Sequence, residues 1–169
     1  MHTMNYIGPL VRGLPRILLT FFAFAVLMTT MQKSVGATPG DLAEFQRQTR
    51  LKYDLKEAAF AANDPEPILT RFYHPDAIST GPDGHTQVGR AALRPVYEEL
   101  IFGDVRIESY RSFVSGDAGW DWVNFHVTPP AASGEAPFTF KMLFLWERVD
   151  GEWWSHGEMY VNGEFDIKQ

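Results

Sequence analysis

The 169-residue chain contains no cysteine. Disulfides, thiolate metal sites and lipid attachment at a thiol are therefore excluded. Basic residues are scarce as well, with fifteen Lys and Arg against twenty-one Asp and Glu. Three of the fifteen, Arg12, Arg16 and Lys33, lie in the first 37 positions, which hold no acid, so the remainder carries twelve against twenty-one and a net charge of -9. A domain that acidic repels phosphate backbones, and nucleic acid is not expected as a partner. The sequence also lacks a glycine-rich phosphate loop, a nucleophile motif, an internal repeat and a heptad array. No second histidine falls at ligand spacing, so neither a metal nor a cofactor is expected.

One long apolar run occurs, at residues 17–28, broken only by Thr20. Arg12 and Arg16 precede it, and Val35-Gly36-Ala37 places small residues where a signal peptidase reads. The run is shorter than the roughly 20 apolar residues a membrane anchor needs, which favours export with cleavage over anchoring. Residues 1–37 are read as a signal peptide resembling a bacterial one, and residues 38–169 as a single domain in the periplasm or outside. A membrane would be a partner only if the leader were kept.

What the chain has in quantity is aromatic rings, 14% of its residues. Many fall in two extended runs, 138–148 and 153–160, joined by Asp150-Gly151, a pair that accepts positive φ and marks a hairpin. Alternate residues of the first arm, Phe138, Phe140, Met142, Phe144 and Trp146, form an unbroken apolar row. Upstream, Asp41 with Glu44 has the form of a helix cap with its returning acid. Leu51, Leu55, Ala58, Ala59 and Ala62 then fall on one helical stripe, with Tyr53 and Phe60 at its margin. A short helix over 65–72, a short strand over 77–80, and a helix over 89–101 that is regular only from Pro95 follow, and the rest reads as strands. Helices first and long adjacent strands afterwards is an α+β order. It implies a curved antiparallel or mixed sheet wrapped round the N-terminal helices, with a conical hollow between.

At this point the residues carry a resemblance. Asn63-Asp64, Pro75-Asp76-Ala77, Gly81-Pro82-Asp83-Gly84, Gly89-Arg90-Ala91-Ala92 and the stretch from Trp146 to Trp153 resemble the nuclear transport factor 2-like superfamily, nearest its SnoaL-like group. The resemblance implies the conical fold, a homodimer packed back to back through the sheet, and no single activity. The steroid isomerases of this fold use a carboxylate that falls on or next to Gly81 here. Their phenol donor falls near Lys56, and their protonated acid near Phe144 or Leu145. All three roles are missing, and Asp83 could substitute for the base only if its loop bends inward.

Three residues are candidates for acid/base chemistry. Asp121 shares an interior-type row with Gly119, Val123, Phe125 and Val127, where desolvation would raise its pKa; the alternative is a wet rim or an arginine partner. His156 and Glu158 lie two apart on one face of the last strand and could form a proton-transfer pair, but the small and apolar Trp153, Ser155, Gly157 and Met159 suit the interior better, which puts both on the outer face. His126 shares its row with Trp120 and Trp122 and has the same ambiguity. Tyr53, Phe60, Phe72, Tyr73, Phe125, Phe140, Phe144, Trp153 and Met159 either line a pocket for a small apolar molecule or fill the core. Trp154 and Tyr160 are expected on the dimer face. Two functions stay open: an exported domain that binds a small apolar molecule with general acid/base activity of isomerase, lyase or hydrolase type, and a non-catalytic envelope module whose pocket is filled by its own side chains.

Overall fold

The computed structural model describes residues 38–166, so the expected signal peptide lies outside the described residues. Helix α1 (Pro39–Ala61) begins one turn before the expected cap. The Thr38 hydroxyl accepts the Asp41 N–H at 3.2 Å while the Asp41 carboxylate accepts the Thr38 N–H at 2.8 Å, so Asp41 is the returning acid of the capping box and not its start. The buried face of α1 is Phe45, Thr49, Tyr53, Lys56 and Phe60, with Ala59. The expected stripe is corrected accordingly: Leu51 is 53% exposed, and Ala58 and Ala62 are also outside. Two of the true core positions are polar, which hides the face from a count of apolar residues. Thr49 satisfies its hydroxyl on the Phe45 carbonyl at 3.1 Å, as helical threonines do.

After α1, Asn63 takes a left-handed φ of 54° and the Asp64 carboxylate accepts the Glu66 N–H. The expected second helix closes as a π-helical turn (Ile68–Phe72) that buries Ile68, Leu69 and Phe72. Strand β1 (Tyr73–Thr80) follows, four residues longer at its start than expected, then β2 (Thr86–Val88) and helix α2 (Arg90–Leu100). Helix α2 runs unbroken through Pro95. The missing N–H falls opposite the carbonyl of Ala91, an exposed residue whose oxygen can turn to solvent. Strands β3 (Asp104–Ser115), β4 (Ala118–Thr128), β5 (Phe138–Val149) and β6 (Glu152–Asn162) complete the chain.

The six strands form one curved sheet in the order β2-β1-β6-β5-β4-β3. Only β1 with β6 is parallel, so the sheet is mixed. The β5–β6 hairpin turns at Asp150 and Gly151, with φ of 52° and 83°, as the Asp-Gly pair predicts.

Two irregularities in pairing decide which side chains face inward. In β3 the register steps from Ser109↔Val123 to Arg111↔Trp122, leaving Tyr110 as the extra residue. In β6 it steps from Gly157↔Leu145 to Ser155↔Trp146, leaving His156 as the extra residue. An inserted residue reverses the in/out alternation beyond it. Trp153 and Ser155 are buried before the β6 bulge, and Glu158 is buried after it while Met159 is 58% exposed.

The sheet also approaches α1 closely at Gly119. A Cβ there would lie 2.7 Å from the ring of the buried Phe45 and 3.0 Å from the Phe113 carbonyl oxygen. Gly119→Ala is therefore expected to cost about 1–3 kcal/mol, read as a lowered urea midpoint at unchanged m-value; an unchanged midpoint would show that α1 can shift freely.

Candidate active site

A cavity of about 400 Å³ opens between α2, the β1–β2 turn and the inner face of the sheet. Its walls are apolar: Phe60 from α1, Leu93, Val96 and Leu100 from α2, Val105 from β3, Phe125 and Val127 from β4, and Phe138, Phe140 and Met142 from β5. The first-arm row read from the sequence is thus one wall as far as Met142, beyond which Phe144 and Trp146 pass into the solid core. The polar lining is Ser79, Asp83, Tyr97, Glu158 and Tyr160.

Glu158 is the centre of the polar part. One carboxylate oxygen, Oε1, accepts the Ser79 hydroxyl at 2.7 Å, and the other, Oε2, accepts the Tyr73 hydroxyl at 2.5 Å. Lys56, fully buried on α1, donates to the Tyr73 oxygen at 2.8 Å and holds its Nζ 3.6 Å from Glu158 Oε2. The Tyr97 hydroxyl lies 2.5 Å from that of Tyr73. Around the Lys56 ammonium stand the rings of Phe72, Tyr73, Tyr97, Phe125 and Phe144, with centroids between 4.5 and 5.4 Å from Nζ. A cation enclosed by ring faces regains from their quadrupoles part of what it has lost in water. Burial still lowers the Lys56 pKa to about 8, with Glu158 pulling the other way. Burial, and then the charge of Glu158, raise the Tyr73 and Tyr97 hydroxyls well above the ordinary phenol range. Both therefore stay protonated at neutral pH.

Asp121 occupies a different place. It is interior, as its row predicts, but it does not line the cavity. Its carboxylate accepts the hydroxyls of Tyr53 at 2.9 Å, Ser109 at 2.6 Å and Ser112 at 3.0 Å, the two serines reaching it from either side of the Tyr110 bulge. Burial raises its pKa, and these three hydrogen bonds oppose the rise. With three of its four lone-pair sites engaged and no place in the cavity lining, Asp121 is a tie between α1, β3 and β4. Asp121→Asn turns an amide N–H toward donors and is expected to cost about 1–3 kcal/mol in a denaturation curve while leaving ligand retention by the cavity unchanged.

The two candidate histidines also lie away from the cavity. His126 is half-buried beside Thr139, with Nδ1 3.0 Å from its hydroxyl, and its Nε2 is 3.5 Å from Glu108. His156, the bulged residue, stacks on His74 at 3.9 Å and places Nε2 3.2 Å from Glu147; burial first, and His74 second, lower its pKa. Asp121, His126 and His156 do not converge.

Among the expected pocket residues, Phe60, Phe125 and Phe140 line the cavity. Tyr53, Phe72, Phe144 and Trp153 are packed core behind it, Phe72 and Phe144 meeting edge to face at 5.5 Å. Tyr73 belongs to the Glu158 cluster. Met159 points outward, and Tyr160, expected on the outer face, lines the cavity instead. Both reversals, and that of Glu158, follow from the His156 bulge. Asp83 does line the cavity, its carboxylate held by the His85 N–H at 3.0 Å and lying 2.8 Å from the His85 ring nitrogen.

A curved mixed sheet closed over helices around an apolar cavity with a buried carboxylate defines a class of α+β domain. The SnoaL-like domain profile matches residues 56–156, and the chain belongs to the SnoaL-like domain family; its fold is of the nuclear transport factor 2-like kind. Similar solved structures include a protein of unknown function from Mycobacterium tuberculosis, 19% identical over 76% of this chain and 78% of that one, with a TM-score of 0.65. A ketosteroid isomerase-like protein from Erwinia carotovora atroseptica is 20% identical over 74% of this chain and 98% of its own, with a TM-score of 0.59. A nuclear transport factor 2-like protein of unknown function from Shewanella oneidensis is 12% identical over 68% and 97%, also at 0.59. At these identities the likeness is one of fold. Among curated proteins no match is found.

Proposed function

We propose that this SnoaL-like domain binds a small, mostly apolar organic molecule in the cavity and transfers a proton on it, with Glu158 as the general base. One observation carries the reading: a buried carboxylate at the polar part of an otherwise apolar cavity, oriented by two hydroxyls and faced by a caged ammonium. Ser79 and Tyr73 fix the rotamer of Glu158, and Lys56 balances its charge without entering the cavity. A proton taken by a Glu158 oxygen leaves the ligand with an electron pair for bond formation or elimination, and is handed back to a different ligand atom. A cavity of about 400 Å³ suits a small organic ligand and speaks against a site filled by the protein's own side chains.

The test is retention. Wild-type protein equilibrated with an extract of apolar small molecules should retain a compound that a Val96→Trp variant, its cavity filled, does not. Identical retained sets would end the reading.

We also propose that the domain is exported, on the strength of the leader pattern in residues 1–37. Among the described residues no helix is long and apolar enough to cross a membrane. Mass spectrometry of the mature N-terminus is expected to begin near Thr38. A homodimer through the outer sheet face is proposed from the exposed Trp120, Trp122, Leu145 and Met159. A one-protomer mass by light scattering at micromolar concentration would count against it.

A further inference from the structure

The hydrogen-bonding protons around Glu158 can be assigned one by one. An ionised carboxylate only accepts, and a phenol has one proton to give. Tyr73 gives its proton to Glu158 Oε2 and Ser79 gives its own to Oε1. The Tyr73 oxygen meanwhile accepts from Lys56 Nζ. In the short contact between Tyr73 and Tyr97, Tyr97 must then be the donor, because the Tyr73 proton is already committed. The protons of Tyr97 and Ser79, both lining residues, are therefore committed to protein partners and not free for a ligand.

What remains for a ligand is a set of acceptors and one donor, the Tyr160 hydroxyl. Glu158 keeps two of its four lone-pair sites, Tyr97 keeps its oxygen lone pairs, and Asp83 adds a second carboxylate. No lysine, arginine or histidine is among the described residues that line the cavity. The ammonium that balances Glu158 is fully buried, donates to the Tyr73 oxygen and does not line the cavity. Tyr160 is the one lining hydroxyl whose proton is not assigned; burial first, and then the charges of Glu158 and Asp83, raise its pKa, so it stays protonated.

Resting on the proposed function above, we infer that the ligand is an uncharged or cationic apolar molecule whose polar group is a hydrogen-bond donor, an alcohol or an amine. A carboxylate or phosphate ester would meet two carboxylates and no cation, and a ligand that only accepts, such as an ether, would leave Glu158 without a partner in a site that water has left. Leaving a buried acceptor unpaired is the costlier error, which makes such a site discriminate strongly for the donor.

Four probes on one carbon frame test this: 1-naphthalenemethanol, its methyl ether, 1-naphthylmethylamine and 1-naphthoate, titrated into the wild-type protein by calorimetry at pH 7. The alcohol and the amine should bind at least tenfold more tightly than the ether, and the naphthoate more weakly than the ether. In Tyr97→Phe, with its fold checked by circular dichroism, the preference for alcohol over ether should shrink at least threefold. An ether or naphthoate that binds as tightly as the alcohol overturns the inference while leaving a ligand-binding cavity in place. If none of the four binds at millimolar concentration, and none binds any better than to Val96→Trp, both the inference and the reading it rests on fall.

Discussion

Lys56→Met is expected to lower the unfolding free energy by about 3–5 kcal/mol, the cost typical of breaking a buried ion pair by removing one partner. The loss does not come from packing, since methionine fills much of the lysine's volume and suits an aromatic cage. It comes from Glu158, left buried opposite no cation, with Tyr73 deprived of the donor that fixed its hydroxyl. The double variant Lys56→Met/Glu158→Gln should recover most of the loss, and the coupling energy of the cycle measures the pair. A single-variant loss under about 1 kcal/mol would mean that the ammonium is not what balances Glu158.

The same lysine sets a pH dependence. Its folded pKa, about 8, lies below the ordinary 10.5, so between these values the unfolded chain binds more protons than the folded one. Stability from this group is fully present above pH 10.5 and is lost as pH falls through about 8. Tyr73 and Tyr97 act oppositely, because their folded pKa values are raised above 10.0: the stability they add is present below pH 10.0 and lost above it. Wild-type stability should thus rise from pH 8 to 10, by on the order of 1 kcal/mol per unit at most, and Lys56→Met should abolish the rise. A rise of equal slope in the variant would assign it elsewhere.

The elements that follow simple periodicity were legible in the sequence. The row Phe138, Phe140, Met142, Phe144 and Trp146 points inward along its length, and the Asp150-Gly151 turn forms with the φ values its residues favour. The α+β order and the mixed sheet follow the pattern of helices and strands. The site was legible only in part, for two physical reasons. One is the bulge at His156, which turns Glu158 and Tyr160 inward and Met159 outward; the alternation of β6 read without it places all three on the wrong face. Gly157, buried against the Ile78 carbonyl of the parallel neighbour, is the only local hint of the irregularity. The other is that α1 buries polar side chains. Positions 45, 49, 53, 56 and 60 keep helical pitch, and Lys56 among them reads as a break in an apolar stripe until its aromatic cage and its carboxylate partner are seen. Asp121 illustrates the converse: its interior row was readable, but the three hydroxyls that engage it come from α1 and from either side of a second bulge, and no spacing in β4 announces them.

Glu158→Gln separates catalysis from architecture. The amide has nearly the volume of the carboxylate, so the cavity keeps its shape, and turnover of the compound retained by the wild-type protein should fall about 10²–10⁴-fold, the usual contribution of a general base. Two further consequences mark the site as the one described. Lys56 loses the negative charge that supports its ionisation, so its pKa should drop below about 8, observable as an upfield-limited titration of ¹³Cε-labelled lysine that begins at lower pH than in the wild type. The Tyr73 and Tyr97 hydroxyls lose the charge that opposes their ionisation, and their absorbance titration should begin at lower pH as well. Turnover unchanged in Glu158→Gln, with both titrations shifted as described, would leave the buried network intact and remove Glu158 from the chemistry. Turnover lost with neither titration shifted would place the defect in folding instead, because the glutamine would then not occupy the position between Ser79 and Tyr73 from which Glu158 acts on all three of its neighbours.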